Sequence, residues 1–259
     1  MCSFVHPRLV PQMADAEALC AALPRHRDVV YSGLALNERG VERAIAAGLD
    51  HVAASISTSD AHSQRNTRMS LTEARSRFVR MVELAVDAGL SVRAGLQCAF
   101  GCRIQGEIAH SHVLDLVKSH LDLGVSELAL ADSTGMAHPA LMEDLVGAVL
   151  ELAEDRPVFL HLHDTEGKGL ANALAAIRVG ARHFDTALGG IGGCPFIEGA
   201  SGNIATEDLV HMSHQMGMDT GIDLGAVADV SRRVEGLYGR QFPGKMHRVL
   251  EMTRLKGAA

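Results

Sequence analysis

Two histidines one residue apart, His161 and His163, close an apolar run at 158–163. Strand side chains alternate with period two, so His161-Leu162-His163 turns both imidazoles to one face. Two nitrogens aimed the same way are half of a divalent-metal site; the alternative is two histidines satisfied by backbone carbonyls. Their place at a strand end beside Asp164 favours the metal. The chain carries its own control, His110-Ser111-His112. That pair opens a helical run, where residues two apart diverge by about 200°, so it is expected at the surface.

Asn203 follows the small-residue run Gly199-Ala200-Ser201-Gly202, which lets backbone approach closely. Its amide oxygen is a hard donor, suited to Mg²⁺ or Mn²⁺ more than to zinc. The competing role is to cap the helix that starts near Thr206. Cys194 lies in Gly189-Gly190-Ile191-Gly192-Gly193-Cys194-Pro195. A loop so rich in glycine is expected to be exposed and mobile, and a poor place for a packing thiol. A thiol there can serve as a proton donor.

Asp132 ends the run Leu128-Ala129-Leu130-Ala131 and precedes Ser133-Thr134-Gly135. It is a candidate general base, or else a loop cap on Ser133 or Thr134. Arg93 sits inside an apolar strand-like run and needs a partner, either an anionic substrate or Asp132. Asn66, in the polar stretch 59–66, could face a ligand, although a solvated loop amide is the better reading of the residue alone. Asp185 is a strand-end acid with a weaker claim. Cys98 and Cys102 read as packing thiols.

The elements that must position these groups alternate regularly. Strand-like runs fall at 3–5, 29–34, 51–55, 91–98, 127–131, 158–163 and 183–187, and amphipathic helical runs follow at 15–23, 38–47, 71–88, 110–123, 139–152, 169–179 and 206–216. A last helical run covers 224–237. Helices ending in Ala47-Gly48, Ala88-Gly89, Leu123-Gly124 and Val179-Gly180 carry the glycine expected at their C-termini. Strand–helix alternation predicts βαβ units and a parallel sheet. Without a Gly-x-Gly-x-x-Gly fingerprint after an early strand, a closed barrel is favoured over an open doubly wound sheet. Seven units are counted where a barrel has eight, so the expectation is one domain over 1–259, a TIM (β/α)8-type barrel whose first strand–helix unit is missing from the chain.

With 259 residues, 47% of them hydrophobic, the chain can fill such a barrel. Its net charge of -7 argues against nucleic acid, and no apolar run is long enough for a membrane span. No secretory signal is visible, and five cysteines without close Cys-x-x-Cys spacing read as reduced thiols of a cytoplasmic protein.

The motifs Ser3-Phe4-Val5 with Val10-Pro11-Gln12-Met13, Gly101-Cys102, Ala131-Asp132-Ser133-Thr134-Gly135 and His161-Leu162-His163-Asp164-Thr165 together resemble the hydroxymethylglutaryl-CoA lyases, metal-dependent barrel lyases. So do Gly192-Gly193-Cys194-Pro195 and, most specifically, Gly199-Ala200-Ser201-Gly202-Asn203 with Ala205-Thr206-Glu207-Asp208-Leu209. The resemblance implies His161, His163 and Asn203 as ligands of Mg²⁺ or Mn²⁺. It implies catalytic roles for Cys194 and Asp132, with His161 counted beside them, and substrate-side roles for Arg93 and Asn66. The family's Arg-Asp pair and a following Glu would lie before Met1. Two segments depart from the family pattern. Arg93-Ala94-Gly95-Leu96-Gln97-Cys98 stands where an Arg-Gly-Tyr stretch is usual, and Cys102-Arg103-Ile104-Gln105-Gly106 where Cys-Pro-Tyr-Glu-Gly is usual.

The implied reaction is retro-Claisen cleavage of 3-hydroxy-3-methylglutaryl-CoA, or a related 3-hydroxyacyl-CoA, to acetyl-CoA and acetoacetate or a related ketone. The expected partner is an acyl-CoA substrate, with a homodimer left open. A Claisen synthase or aldolase on the same barrel is the competing enzyme, against which the Cys-Pro loop argues. An inactive truncated homologue is the third reading.

Overall fold

The computed structural model describes residues 2–8, 10–192 and 202–257. Its strands are β1 (Cys2–Ser3), β2 (Ser32–Ala35), β3 (His51–Ser57), β4 (Ser91–Gln97), β5 (Glu127–Asp132), β6 (Val158–Leu162) and β7 (His183–Asp185), and they lie in one sheet in chain order. The chain divides into two compact units, Met1–Ala131 with Ala148–Phe159, and Asp132–Gly147 with Leu160–Ala259.

In the first unit β1 to β5 pair in parallel, each strand with the next. The intervening helices are α1 (Ala16–Ala22), α2 (Glu38–Ala46), α3 (Asp60–Thr67), α4 (Leu71–Asp87) and α5 (His110–Asp122). Local chemistry starts three of them. The side chains of Asn37, Ser59 and Ser70 accept hydrogen bonds from the N–H groups of Gly40, His62 and Glu73, closing the first turns of α2, α3 and α4. The core is apolar and close-packed: Val52, Ala54, Val92, Ala94, Leu96, Leu128 and Leu130 on the strands, and Phe78, Met81 and Leu116 on the helices, are buried. Each large aliphatic side chain so buried contributes about 1.5–3 kcal/mol.

A row of polar side chains crosses the opening ends of four of these strands. Ser32 Oγ lies 2.7 Å from His51 Nδ1, His51 Nε2 lies 3.2 Å from Glu127 Oε2, and Arg93 Nε donates to the same oxygen at 2.6 Å. The Arg93 guanidinium also covers the Phe159 ring at 3.3 Å.

The second unit holds the end of β6, then β7, α7 (Gly169–Arg178), α8 (Thr206–Gln215), α9 (Leu224–Tyr238) and α10 (Met246–Gly257). Bridges pair His163 with Asn203 and Ala187 with Ala205, which seats the segment 203–205 between β6 and the chain just beyond β7. Helix α6 (Pro139–Ala153) contributes to both units.

Three local expectations are corrected. The polar stretch 59–66 is not a loop; Ser59 and Asp60 nucleate α3, a helix too polar to show an apolar stripe. The second strand starts at Ser32, because Val29 and Val30, β-branched yet 48% and 70% exposed, precede it. Helix α10 was not foreseen, since 246–257 lacks a clear apolar period.

Candidate active site

His161 and His163 share one face at the end of β6, with ring centroids 5.2 Å apart. His163 is buried, and its Nδ1 lies 3.1 Å from the Ser133 carbonyl. A carbonyl only accepts, so Nδ1 carries the proton and Nε2 keeps its lone pair. Burial and the neighbouring His161 push the His163 pKa down to about 4, so the ring is neutral at physiological pH. His161 is half-buried, with its Nδ1 3.7 Å from the Asp185 carboxylate. Both rings therefore have an acceptor on the Nδ1 side, the arrangement that orients metal-binding imidazoles.

Asn203 is brought to the same place by backbone pairing with His163. Gly202 makes the approach possible: at φ +103°, a Cβ there would lie 2.5 Å from the carbonyl oxygens of both Gly190 and Gly192. The Asn203 Nδ2 donates to the Ile191 carbonyl at 3.0 Å, which fixes which way the amide faces. Its Oδ1 is buried and forms no hydrogen bond of good geometry among the described residues. A buried acceptor so poorly satisfied costs about 1–3 kcal/mol, and a cation is a fitting partner for it. Asn203 does not cap α8, where Ala205 holds the cap position without a side-chain bond.

Asp132 is fully buried at the end of β5. Its Oδ1 accepts from Met136 N at 3.0 Å and its Oδ2 from Ala137 N at 3.2 Å, so the loop it anchors lies further on than Ser133 and Thr134. Burial pushes the carboxyl up to about 6, against the opposing pull of those two N–H groups and of Lys168. A base poised there is ionised at neutral pH and can still hold a proton.

His161, His163, Asn203 and Asp132 all belong to the second unit, and Arg93 and Asn66 to the first. Arg93 finds the partner that its burial demanded in Glu127, neither Asp132 nor a ligand being needed to neutralise it. Asn66 lies on α3, half-buried, with Nδ2 donating to Gln97 Oε1 at 3.3 Å. Cys194 lies outside the described residues. Cys98 and Cys102 are buried thiols. Of the control pair, His110 is exposed, whereas His112 is half-buried with Nε2 3.1 Å from the Thr58 carbonyl.

Sequence reasoning passed over two supports of the site. Ser133 acts through its backbone carbonyl, which leaves no mark on residue type. Glu207 reads as an ordinary first-turn acid, yet it is fully buried and both of its oxygens lie 3.1 Å from Gly189 N. Among the described residues no three His, Cys, Asp or Glu side chains are arranged to hold a metal. The donor set is two imidazoles and one amide oxygen, a mixed nitrogen and oxygen set suited to a borderline-to-hard divalent ion.

Residues 9–234 match the HMGL-like family model. The chain is 40% identical over 251 residues to the (R)-citramalyl-CoA lyase of Chloroflexus aurantiacus, covering 93% of this chain and 79% of that protein. It is 34% identical over 251 residues to the hydroxymethylglutaryl-CoA lyase YngG of Bacillus subtilis, covering 97% and 84%. The solved structure of an HMG-CoA lyase from Acinetobacter baumannii, in complex with coenzyme A and 3-methylmalate, superposes with a TM-score of 0.92 at 40% identity, covering 95% of this chain and 81% of that one. The α/β fold is thus of the TIM-barrel type, and the chain belongs to the HMGL-like family as an HMG-CoA lyase-like lyase.

Proposed function

We propose that this chain is a divalent-metal-dependent carbon–carbon lyase that cleaves a branched 3-hydroxyacyl-CoA bearing one free carboxylate. The products are acetyl-CoA and a ketone: acetoacetate from 3-hydroxy-3-methylglutaryl-CoA, or a related keto acid from a related substrate. The observation that carries this reading is the buried Asn203 Oδ1, without a well-formed hydrogen bond among the described residues, beside two imidazoles whose Nδ1 atoms face acceptors. Relatives named for hydroxymethylglutaryl-CoA and for citramalyl-CoA both support the substrate class. The altered segments 93–98 and 102–106 support a related 3-hydroxyacyl-CoA as an alternative to 3-hydroxy-3-methylglutaryl-CoA.

In this reading His161, His163 and Asn203 hold Mg²⁺ or Mn²⁺. The ion supplies Lewis acidity that lowers the pKa of a chelated hydroxyl. Asp132, with a spare lone pair on each oxygen beyond those used by Met136 and Ala137, takes the proton of the 3-hydroxyl. The bond between C2 and C3 then breaks, its electron pair leaving as the acetyl-CoA enolate while C3 becomes the ketone carbon. The Cys194 thiol delivers a proton to the enolate carbon, and its glycine loop excludes water as it does so. His161, the more exposed ring, contacts the reacting oxygens.

Titrating Mn²⁺ against the protein by electron spin resonance tests the site. Binding that disappears in His161→Ala and His163→Ala is expected. Binding unchanged in both removes the assignment.

A further inference from the structure

The sequence closes with a segment that neither the motifs nor the proposed chemistry use. It forms a brace against the glycine loop. Gly189 is held at both faces of its peptide: its N–H by Glu207, and its carbonyl by Gly244 N at 2.8 Å. Phe242, buried, covers it so closely that a Cβ on Gly189 would lie 2.5 Å from the Phe242 ring. Two residues on, Ile191 offers the carbonyl that orients the Asn203 amide. The position of Gly189 therefore reaches the candidate ligand through one short, hydrogen-bonded stretch of backbone.

Behind Glu207 stands His247, from α10, with no solvent exposure. Its Nδ1 lies 2.8 Å from Glu207 Oε1 and its Nε2 3.1 Å from Glu235 Oε2. Glu235 in turn accepts from Phe242 N at 2.7 Å and pairs with Arg248. Asp208, next to Glu207, accepts from the N–H groups of Lys245 and Met246. One imidazole thus stands between the carboxylate under the glycine loop and the carboxylate that holds Phe242, within 2.8 Å of the first and 3.1 Å of the second. Removing it strips the buried Glu207 of a polar neighbour 2.8 Å from Oε1, and a buried carboxylate left beside apolar atoms relaxes by moving.

We infer that His247 is a positioning residue: through Glu207 and the segment Phe242–His247 it fixes Gly189, and thereby sets the orientation of the Asn203 amide toward a divalent cation. The inference rests on the metal reading above and deepens it. Cation affinity, unlike folding alone, depends on where the amide oxygen points, and outer supports of metal ligands typically govern affinity about 10–100-fold.

The test is Mn²⁺ affinity by electron spin resonance, beside thermal melts, on the full chain and four variants. His247→Leu fills the space but removes the polar ring that stands between the two carboxylates, and its affinity is expected to fall about tenfold or more. Phe242→Leu, a milder change, loosens the cover over Gly189 and is expected to weaken binding in the same direction. Phe78→Leu, a buried change on α4, serves as a control for destabilisation and is expected to keep the parent affinity. His161→Ala is expected to abolish binding. Parent-like affinity in a folded His247→Leu, with binding lost in His161→Ala, overturns the brace and leaves the metal site standing. Parent-like affinity in His161→Ala overturns the metal reading itself. If His247→Leu does not fold, Phe242→Leu decides: parent-like affinity there overturns the brace.

Discussion

Replacing Asp132 with asparagine separates two forces acting on one buried carboxyl. Its two hydrogen bonds from Met136 and Ala137 favour the anion, while complete burial disfavours it. Burial wins, since the group sits at about 6 where an ordinary aspartate sits at 3.8. Holding the carboxyl there costs the ionised fold about 3 kcal/mol relative to the protonated one. The sign follows from linkage. The folded state binds the proton more tightly than the unfolded state, so Asp132 contributes most stability below pH 3.8, and that contribution is lost as pH rises through about 6. Between about pH 5 and about pH 7.5 the loss is on the order of 1 kcal/mol.

A side-chain amide does not titrate in this range, so Asp132→Asn removes the slope. It also turns one acceptor into a donor facing a backbone N–H, a constant penalty of about 1–3 kcal/mol. Urea unfolding of the metal-free parent and variant at the two pH values measures both. The variant should be less stable than the parent at about pH 5, with the gap narrowing by roughly 1 kcal/mol at about pH 7.5. A gap that stays constant, or widens with pH, would mean the two N–H groups outweigh burial, and the argument for a base poised near neutrality fails.

Three further outcomes are expected. His120, fully buried with neither ring nitrogen hydrogen-bonded and stacked on Phe78, has its pKa pushed down to about 3 by burial. The fold therefore loses stability as pH falls from 6.5 toward about 3, and His120→Leu should raise the melting temperature more at about pH 5 than at about pH 8; a lower melt at both values contradicts this. Arg93→Lys removes the Nε hydrogen bond to Glu127 and the planar cover over Phe159, so it should lower the melt with little change in KM. A raised KM at an unchanged melt would place Arg93 against the substrate instead of Glu127. Cys194→Ser should cut turnover by about 10²–10⁴-fold with little change in melting temperature, as loss of a proton donor does. Turnover within about threefold of the parent, or activity lost in step with stability, would make it a packing residue.

The strand–helix alternation and the strand end His161-Leu162-His163 were legible because period and spacing are properties of local sequence. Most element positions, and the pairing of β1 to β5, follow from that alternation. Helix α3 escaped because a cap and a first-turn acid can start a helix that shows no apolar stripe. Asn203 was legible as a donor, but its freedom from capping was not, because that depends on Gly202 passing between two carbonyls. Arg93 was read correctly as needing a partner. Its partner is set by the register Arg93↔Glu127 between β4 and β5, which no single sequence states. Glu207 and His247 lay furthest from reach: ordinary surface residues by type, they are buried because segments far apart in the chain meet.

The central claim is lyase chemistry at the site of His161, His163 and Asn203. It is tested most directly by incubating the purified chain with 3-hydroxy-3-methylglutaryl-CoA and, separately, citramalyl-CoA in the presence of Mg²⁺ or Mn²⁺, and following acetyl-CoA release. The account predicts metal-dependent release of acetyl-CoA with one equivalent of ketone from at least one of the two, abolished by chelation and by His163→Ala while the variant keeps its fold. No release from either substrate, or release that survives chelation or His163→Ala, contradicts it.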